Sequence, residues 1–333
     1  MCLRWRISLC CAVAGALAGC GSSSAPPPAP EPAVSPPLSA PPAGRVVPVG
    51  NLPEGVAADG RTGLVAVGLR QPARLLLLDG RSGRVLERIV LRSATRHLSL
   101  AAPGGPLLVP EEEAGVLARI SLPAGRIESS TRVGTAPHDA TAAGEEIVVA
   151  NEHSDSASIL QGDRVLRTVP APLQPGGVDA ARDGTVALIA VRGRVLATYD
   201  PRSGRMLGQA GAGVGPTHVA YDRRSDRFFV ADTEGQAILA FKLRPKPTIV
   251  GRLNLPGTPY GIAVDPERGR LWVTLTARNQ LVEAFASVEH APRVVASYPS
   301  VRQPNTVAVD PRTGRVFVTG RDDGVLQILD PPR

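Results

Sequence analysis

The chain has 333 residues, a formal net charge of +7 and a hydrophobic fraction of 43%, with 33 prolines, 35 glycines and only 3% aromatic residues. Apolar content is sufficient for a large core. A nucleic-acid groove built on aromatic stacking platforms is excluded, because aromatics are scarce and the cations, nearly all Arg, form no run. The cysteines are Cys2, Cys10, Cys11 and Cys20, all within the first 20 residues, so the remaining chain has no disulfide framework, zinc knuckle or covalent haem site.

In chain order, Arg4 and Arg6 precede an apolar run from Ile7 to Ala18. That run is too short to cross a bilayer as a mature helix and reads as an export signal over residues 1–19. It closes on Leu17-Ala18-Gly19-Cys20, which resembles the lipobox of bacterial lipoproteins. The resemblance implies cleavage just before Cys20, acylation of its sulfur, and an extracytoplasmic chain held to a bacterial membrane by lipid. Residues 20–44, rich in Pro, Ser and Ala, carry almost no charge and read as a disordered tether. At ~3.1 Å per residue in polyproline geometry, such a tether reaches roughly 70 Å from the membrane.

From 45 to 333 the chain repeats itself. Copies of one short loop are anchored at Pro53, Thr95, Pro137, Pro175, Pro216, Pro259 and Pro304, with spacings of 42, 42, 38, 41, 43 and 45 residues. This period suits one four-stranded propeller blade. From six anchors the centre of the next strand lies 14 residues on, at Val67, Val109, Ile189, Val230, Val273 and Val318; the third copy reaches Val149 after 12. The first copy gives strands near 55–58, 64–67, 74–78 and 85–91, with an Asp-to-Gly turn between the third and fourth. Leu281, Phe285 and Val288 fall at helical spacing, but the repeat assigns 281–286 to a third strand. The last copy runs out after three strands, and Arg45-Val46-Val47-Pro48-Val49 matches the start of an outer strand. The expectation is an all-β, seven-bladed propeller of four-stranded blades, closed by the N-terminal strand completing the last blade.

The pattern PYGIAVDPERGRLWV (259–273), its copy PNTVAVDPRTGRVFVTG (304–320) and the turns LDGRSGRV (78–85) and YDPRSGRM (199–206) resemble the YVTN-type, YncE-like propeller repeat proteins. The resemblance implies an extracytoplasmic seven-bladed ring and leaves activity open.

Five histidines are present, and three occupy equivalent places just after anchors: His97, His138 and His218. His153 follows the third blade's second strand beside Glu152. At the two positions after the anchor the repeat otherwise favours small residues, as at Gly55, Gly177 and Gly261. Bulky polar residues at His97, Asp139 and His218 break that rule, which makes them places to seek function. The expected site is a polar pocket at the channel mouth lined by His97, His138, Glu152 and His218, with Glu112 and Asp232 on its rim and Glu54, Glu111 and Asp139 nearby. Imidazoles and carboxylates of this kind could hold a divalent metal, although no local H-x-x-x-H spacing supports one, and no cofactor is expected. Two functions follow. The first is a lipid-anchored binding or scaffold protein of the cell envelope, monomeric, engaging an envelope protein or small ligand and no nucleic acid. The second is a metal-assisted lyase or hydrolase resembling the streptogramin-lyase propellers, suggested by PHDATAAGEEIVVANEH (137–153). This chain lacks the aromatic pair those repeats carry in their second strand.

Overall fold

A computed structural model describes residues 26–286 and 291–332. The signal segment 1–19, Cys20, Val288 and His290 lie outside the described residues. Seven antiparallel sheets of four strands form the expected ring. The first blade comprises Pro53–Asp59, Leu64–Arg70, Ala73–Asp79 and Val85–Val90. The others repeat it outward from the channel. The ambiguous segment is a strand, Gln280–Phe285, after one short turn of 3-10 helix, Thr276–Arg278.

The seven second-strand centres, Val67, Val109, Val149, Ile189, Val230, Val273 and Val318, are each 0% exposed. They sit in the seams between blades, since each of seven apolar clusters joins two neighbours. One, for example, packs Ile189 and Leu196 against Phe228 and Val230. Another packs Val56 and Leu76 against Phe317 and Leu326. The outer strands, by contrast, alternate between exposed and half-buried, as in Arg164–Pro170. Stability is therefore carried by inter-blade packing, at ~1.5–3 kcal/mol for each large apolar side chain fully buried.

Four of the seven inner strands end in a turn organised by an aspartate. Asp222 accepts the N–H groups of Arg224 (3.0 Å) and Ser225 (3.2 Å) and the Ser225 hydroxyl (2.6 Å). Asp59, Asp265 and Asp310 do the same for their own turns. The aspartate satisfies donors that the reversing backbone leaves free.

The ring closes as the repeat predicts. Arg45–Pro48 pairs antiparallel with Val325–Leu329, in the register Arg45↔Ile328 to Pro48↔Val325. Pro48 is tolerated because an outermost strand leaves one side unpaired. The second blade is irregular: its inner strand is reduced to Ser99–Leu100. There the Thr95 hydroxyl donates to the His97 carbonyl (2.9 Å), closing a local turn where the other copies begin their ladder.

The stretch before the ring differs from the expected free tether, because from Pro26 onward it lies on the ring's surface. We call the face where the inner strands begin the upper face. The Arg192 guanidinium donates to the carbonyls of Pro27 (2.9 Å) and Pro26 (3.3 Å). Farther on, Ala33 N–H donates to Thr276 Oγ1 (3.1 Å), and Asn279 donates to the Pro36 carbonyl (2.8 Å). Proline locks φ and so lowers the entropy lost on seating the strap. Its carbonyls remain available as acceptors, and the ring supplies the donors.

Candidate functional site

Six of the seven inner strands break register with their neighbour just after the anchor, between Pro137 and Asp139 and between Pro216 and His218 for example. A bulge of this kind re-aims the side chains it carries. Here, in the third and fifth blades, it brings His138 and His218 toward the channel. Where the next blade's backbone comes close, only glycine fits: a Cβ on Gly261 would lie 2.5 Å from the Asn305 carbonyl oxygen.

Bulges in the third and fifth blades, with the Thr95–His97 turn of the second, bring three of the predicted histidines together. His97 lies between His138 and His218, with ring centroids 4.8 Å apart on each side, and Tyr260 packs edge-on against His218 at 4.5 Å. Nε2 of His218 is 3.2 Å from Nε2 of His97, so one ring donates and the other accepts. Burial drives the pKa values of His138 and His218 down to about 3, Arg96 adding to both and His138 also to His218. Burial and the neighbouring imidazoles hold His97 well below its usual value. The layer is therefore neutral at physiological pH. Nδ1 of His138 and of His218 is buried without a partner in hydrogen-bonding geometry, although the carbonyls of Gly176 and Tyr260 lie alongside.

Beneath this layer a cavity of about 270 Å³ continues along the inner strands toward the lower face. One wall carries Asp139, Thr141 and Asp179, and the facing wall is apolar, with Val56, Ile262 and Val307. Asp139 accepts the N–H groups of Ala140 (2.8 Å) and Val178 (3.0 Å). Asp179 accepts those of Ala180 and Tyr221 (both 2.7 Å). Each carboxylate thus ties its strand to the next blade. Burial raises Asp139 to about 7, with Asp179 contributing and the two backbone donors opposing. Burial raises Asp179 to about 6 against its own donors. Neither carboxylate has an Arg or Lys partner among the described residues, and both keep part of their surface open to the lumen.

Above the histidines, Arg96 plugs the mouth. Its Nε is 2.6 Å from Glu112, whose other oxygen is 2.8 Å from Arg70; Arg70 also reaches Glu54 at 3.3 Å. Burial disfavours the Arg96 charge, but Glu112, Glu54 and Glu152 outweigh it and hold the guanidinium firmly protonated. Glu152 accepts a hydrogen bond from Gln174 (2.6 Å). The strap passes over this group, with Glu31 exposed to solvent. Partial burial raises the pKa of Glu31, Arg96 lowers it, and Glu152 and Glu54 raise it further.

Of the residues expected to form the site, His97, His138 and His218 converge, and Glu112, Glu152 and Glu54 ring the arginine above them. Asp232 does not join them. It is 0% exposed and accepts N–H groups from Val214 (2.9 Å), Gly215 (2.8 Å) and Gly235 (3.1 Å), so it organises the fifth blade's own loops. Glu111 does likewise for Arg92 (2.5 Å) and Ser93 (2.9 Å). His153 is exposed and makes no ring contact with the other three. Asp179 escaped the sequence reading, yet its signal was present. Four residues after the anchor the copies read Ala57, Ser99, Thr141, Asp179, Ala220, Ala263 and Ala308, a single carboxylate among small residues. Glu31 carried no such signal, because its place over the mouth depends on contacts made elsewhere along the strap.

The imidazoles meet ring against ring, with a cationic Arg96 above them. Among the described residues no three His, Cys, Asp or Glu side chains are placed to hold one ion.

No family model and no curated protein matches the sequence. Solved structures do share the fold. A streptogramin B lyase is 13% identical with a TM-score of 0.71, over 86% of this chain and 97% of the other. The virginiamycin B lyase of Staphylococcus aureus is 14% identical with a TM-score of 0.69, over 85% and 98%. A chain of the Kuenenia stuttgartiensis hydrazine synthase is 14% identical with a TM-score of 0.73, over 85% and 96%. At such identities the likeness establishes the propeller and nothing about chemistry.

Proposed function

We propose that this protein is a lipid-anchored, extracytoplasmic propeller of the bacterial cell envelope, built like the YncE-like rings its repeats resemble, that binds a small ligand in its channel. The observation that carries the binding role is the cavity beneath the histidine layer, where two carboxylates without a cationic partner face an apolar wall. Burying a carboxylate without a cationic counterion is costly, and the backbone donors that bind Asp139 and Asp179 offset only part of that cost, since both pKa values stay raised. The chemistry suits a small organic cation, whose ammonium meets Asp139 and Asp179 and whose carbon chain lies on Val56, Ile262 and Val307. The neutral histidines form the blind end of the site, and the strap and Arg96 cover it from above.

The test is thermal unfolding of the purified mature protein at pH 8, where both carboxylates are ionised, with 1,4-diaminobutane, n-butylamine and sodium butyrate as probes. The amines raise the melting temperature with a saturable dose response and butyrate does not. Indifference to all three at millimolar concentration would dismiss the binding role assigned to the channel. Metal analysis of the same preparation addresses the second reading, a metal-assisted lyase or hydrolase. That reading draws on the three channel histidines and on the fold shared with structures described as lyases. Stoichiometric zinc or manganese lost on His97→Ala would favour it over simple binding.

A further inference from the structure

The seated strap changes how an anchored ring would stand relative to its membrane. Pro26 and Pro27 are fastened to Arg192, in the turn between the second and third strands of the fourth blade, on the upper face. From there the strap crosses the mouth at Glu31 and is pinned at the sixth and seventh blades by Ala33, Ser35 and Pro36. Only residues 21–25 separate Pro26 from Cys20. Six virtual bonds of at most ~3.6 Å reach about 20 Å, against roughly 70 Å for a tether free over its whole length. Inner strands of seven residues, such as Pro53–Asp59, make the ring roughly 23 Å deep at ~3.3 Å per residue.

We infer that the upper face of the ring is held against the bilayer, with the strap and the Arg96 mouth toward the lipid headgroups and the open end of the Asp139–Asp179 cavity toward the aqueous compartment. The partner surface is the membrane itself, and ligand reaches the cavity from the side away from it. This inference rests on lipidation of Cys20, and the experiment separates the two.

The mature chain has no cysteine other than Cys20, so one added cysteine can be labelled selectively. Asp323 lies in an exposed turn on the upper face, and Asp163 lies in an exposed turn on the lower face. Asp323→Cys and Asp163→Cys are each labelled with a donor fluorophore. The lipidated proteins are then reconstituted into phosphatidylethanolamine/phosphatidylglycerol vesicles carrying a headgroup acceptor. Energy transfer is expected to be at least about twofold higher from position 323, given face-to-face separation set by strand length. A flexible insert of about 20 Gly/Ser residues before Pro26 should remove the difference without altering the melting temperature. Equal transfer from both faces of vesicle-bound protein, or higher transfer from 163, overturns the orientation and leaves the anchor standing. Protein that leaves the vesicles on flotation overturns the anchor and the orientation with it.

Discussion

Ser35 and Gln303, 268 residues apart, hold each other through a reciprocal pair of hydrogen bonds. Ser35 N–H donates to Gln303 Oε1 at 2.9 Å, and Gln303 N–H donates to Ser35 Oγ at 3.0 Å. The Ser35 hydroxyl in turn donates to the Thr276 carbonyl at 2.6 Å, and Ser35 is 4% exposed. A segment with the composition of a linker is thereby fixed to the sixth and seventh blades.

Ser35→Ala removes one donor and one acceptor and leaves the Thr276 carbonyl and the Gln303 N–H buried without them. The expected cost is about 1–3 kcal/mol, read as a lower unfolding midpoint in urea. Hydrogen exchange at Ala33 and Ser35 should accelerate more than exchange in the inner strands. A variant whose Ala33 amide stays as protected as wild type would show that the strap is held by something other than this pair.

Removing residues 45–49 should strip the outer strand from the last blade and expose the edge Val325–Leu329. It leaves unpaired backbone groups and uncovers the Leu326 and Ile328 seam. We expect a marked fall in melting temperature together with aggregation, because such an edge templates further pairing. An unchanged melting temperature would mean that closure contributes nothing.

Glu112 supports two arginines while Glu54 supports one at a longer distance. Glu112→Gln should therefore destabilise the protein by about 2 kcal/mol or more, since it leaves half-buried guanidinium groups short of a counter-charge. Glu54→Gln should cost less than about 1 kcal/mol. Denaturant midpoints for the two variants, measured side by side, check the order, and a reversed ranking would show that the Arg70–Glu112–Arg96 group is not the structural centre of the mouth.

The channel sets opposing pH dependences. His138 and His218 fall from 6.5 to about 3 on folding, so between those values the unfolded chain binds protons that the native one refuses, and stability is lost as pH falls below about 6.5. Asp139 and Asp179 rise from 3.8 to about 7 and about 6, so their contribution is full below 3.8 and is lost as pH rises toward 7. Replacing His138 by Gln should flatten the acid limb by about one proton, or ~1.4 kcal/mol per pH unit. Asp139→Asn should steepen the net rise of stability with pH between 4 and 6 by a similar amount. Urea titrations at a series of pH values measure these slopes, which are independent of any uniform loss of stability in the variants. Wild-type slopes in both variants would mean that these groups are not buried in the channel.

Cys20→Ala should move the protein from the membrane to the soluble fraction, because without the thioether only the seated strap and the ring remain. Unaltered membrane retention of this variant would rule out acylation as the anchor.

The sequence by itself determined the blade count, the strand order and the closing strand. All three follow from local rules repeated in register: an aspartate satisfying a turn, a glycine where φ is positive, and a valine, or in the fourth blade an isoleucine, at the centre of a seam. It also pointed to His97, His138 and His218, because a bulky polar side chain where the repeat wants a small one is visible without coordinates. Tertiary structure alone decided what those residues face. Asp232 and Glu112 look alike in the sequence as carboxylates at the ends of second strands. One bonds the amides of its own blade, and the other meets arginines from the first and second blades. The same holds for the strap: composition gives the stiffness of a proline-rich segment, but Arg192, Thr276, Asn279 and Gln303, supplied by blades far along the chain, decide whether it stands free or lies down. Local patterns fix how a chain turns and pairs with its neighbour; the partner of a single polar group across a ring depends on where distant loops are brought together, and no periodicity encodes that.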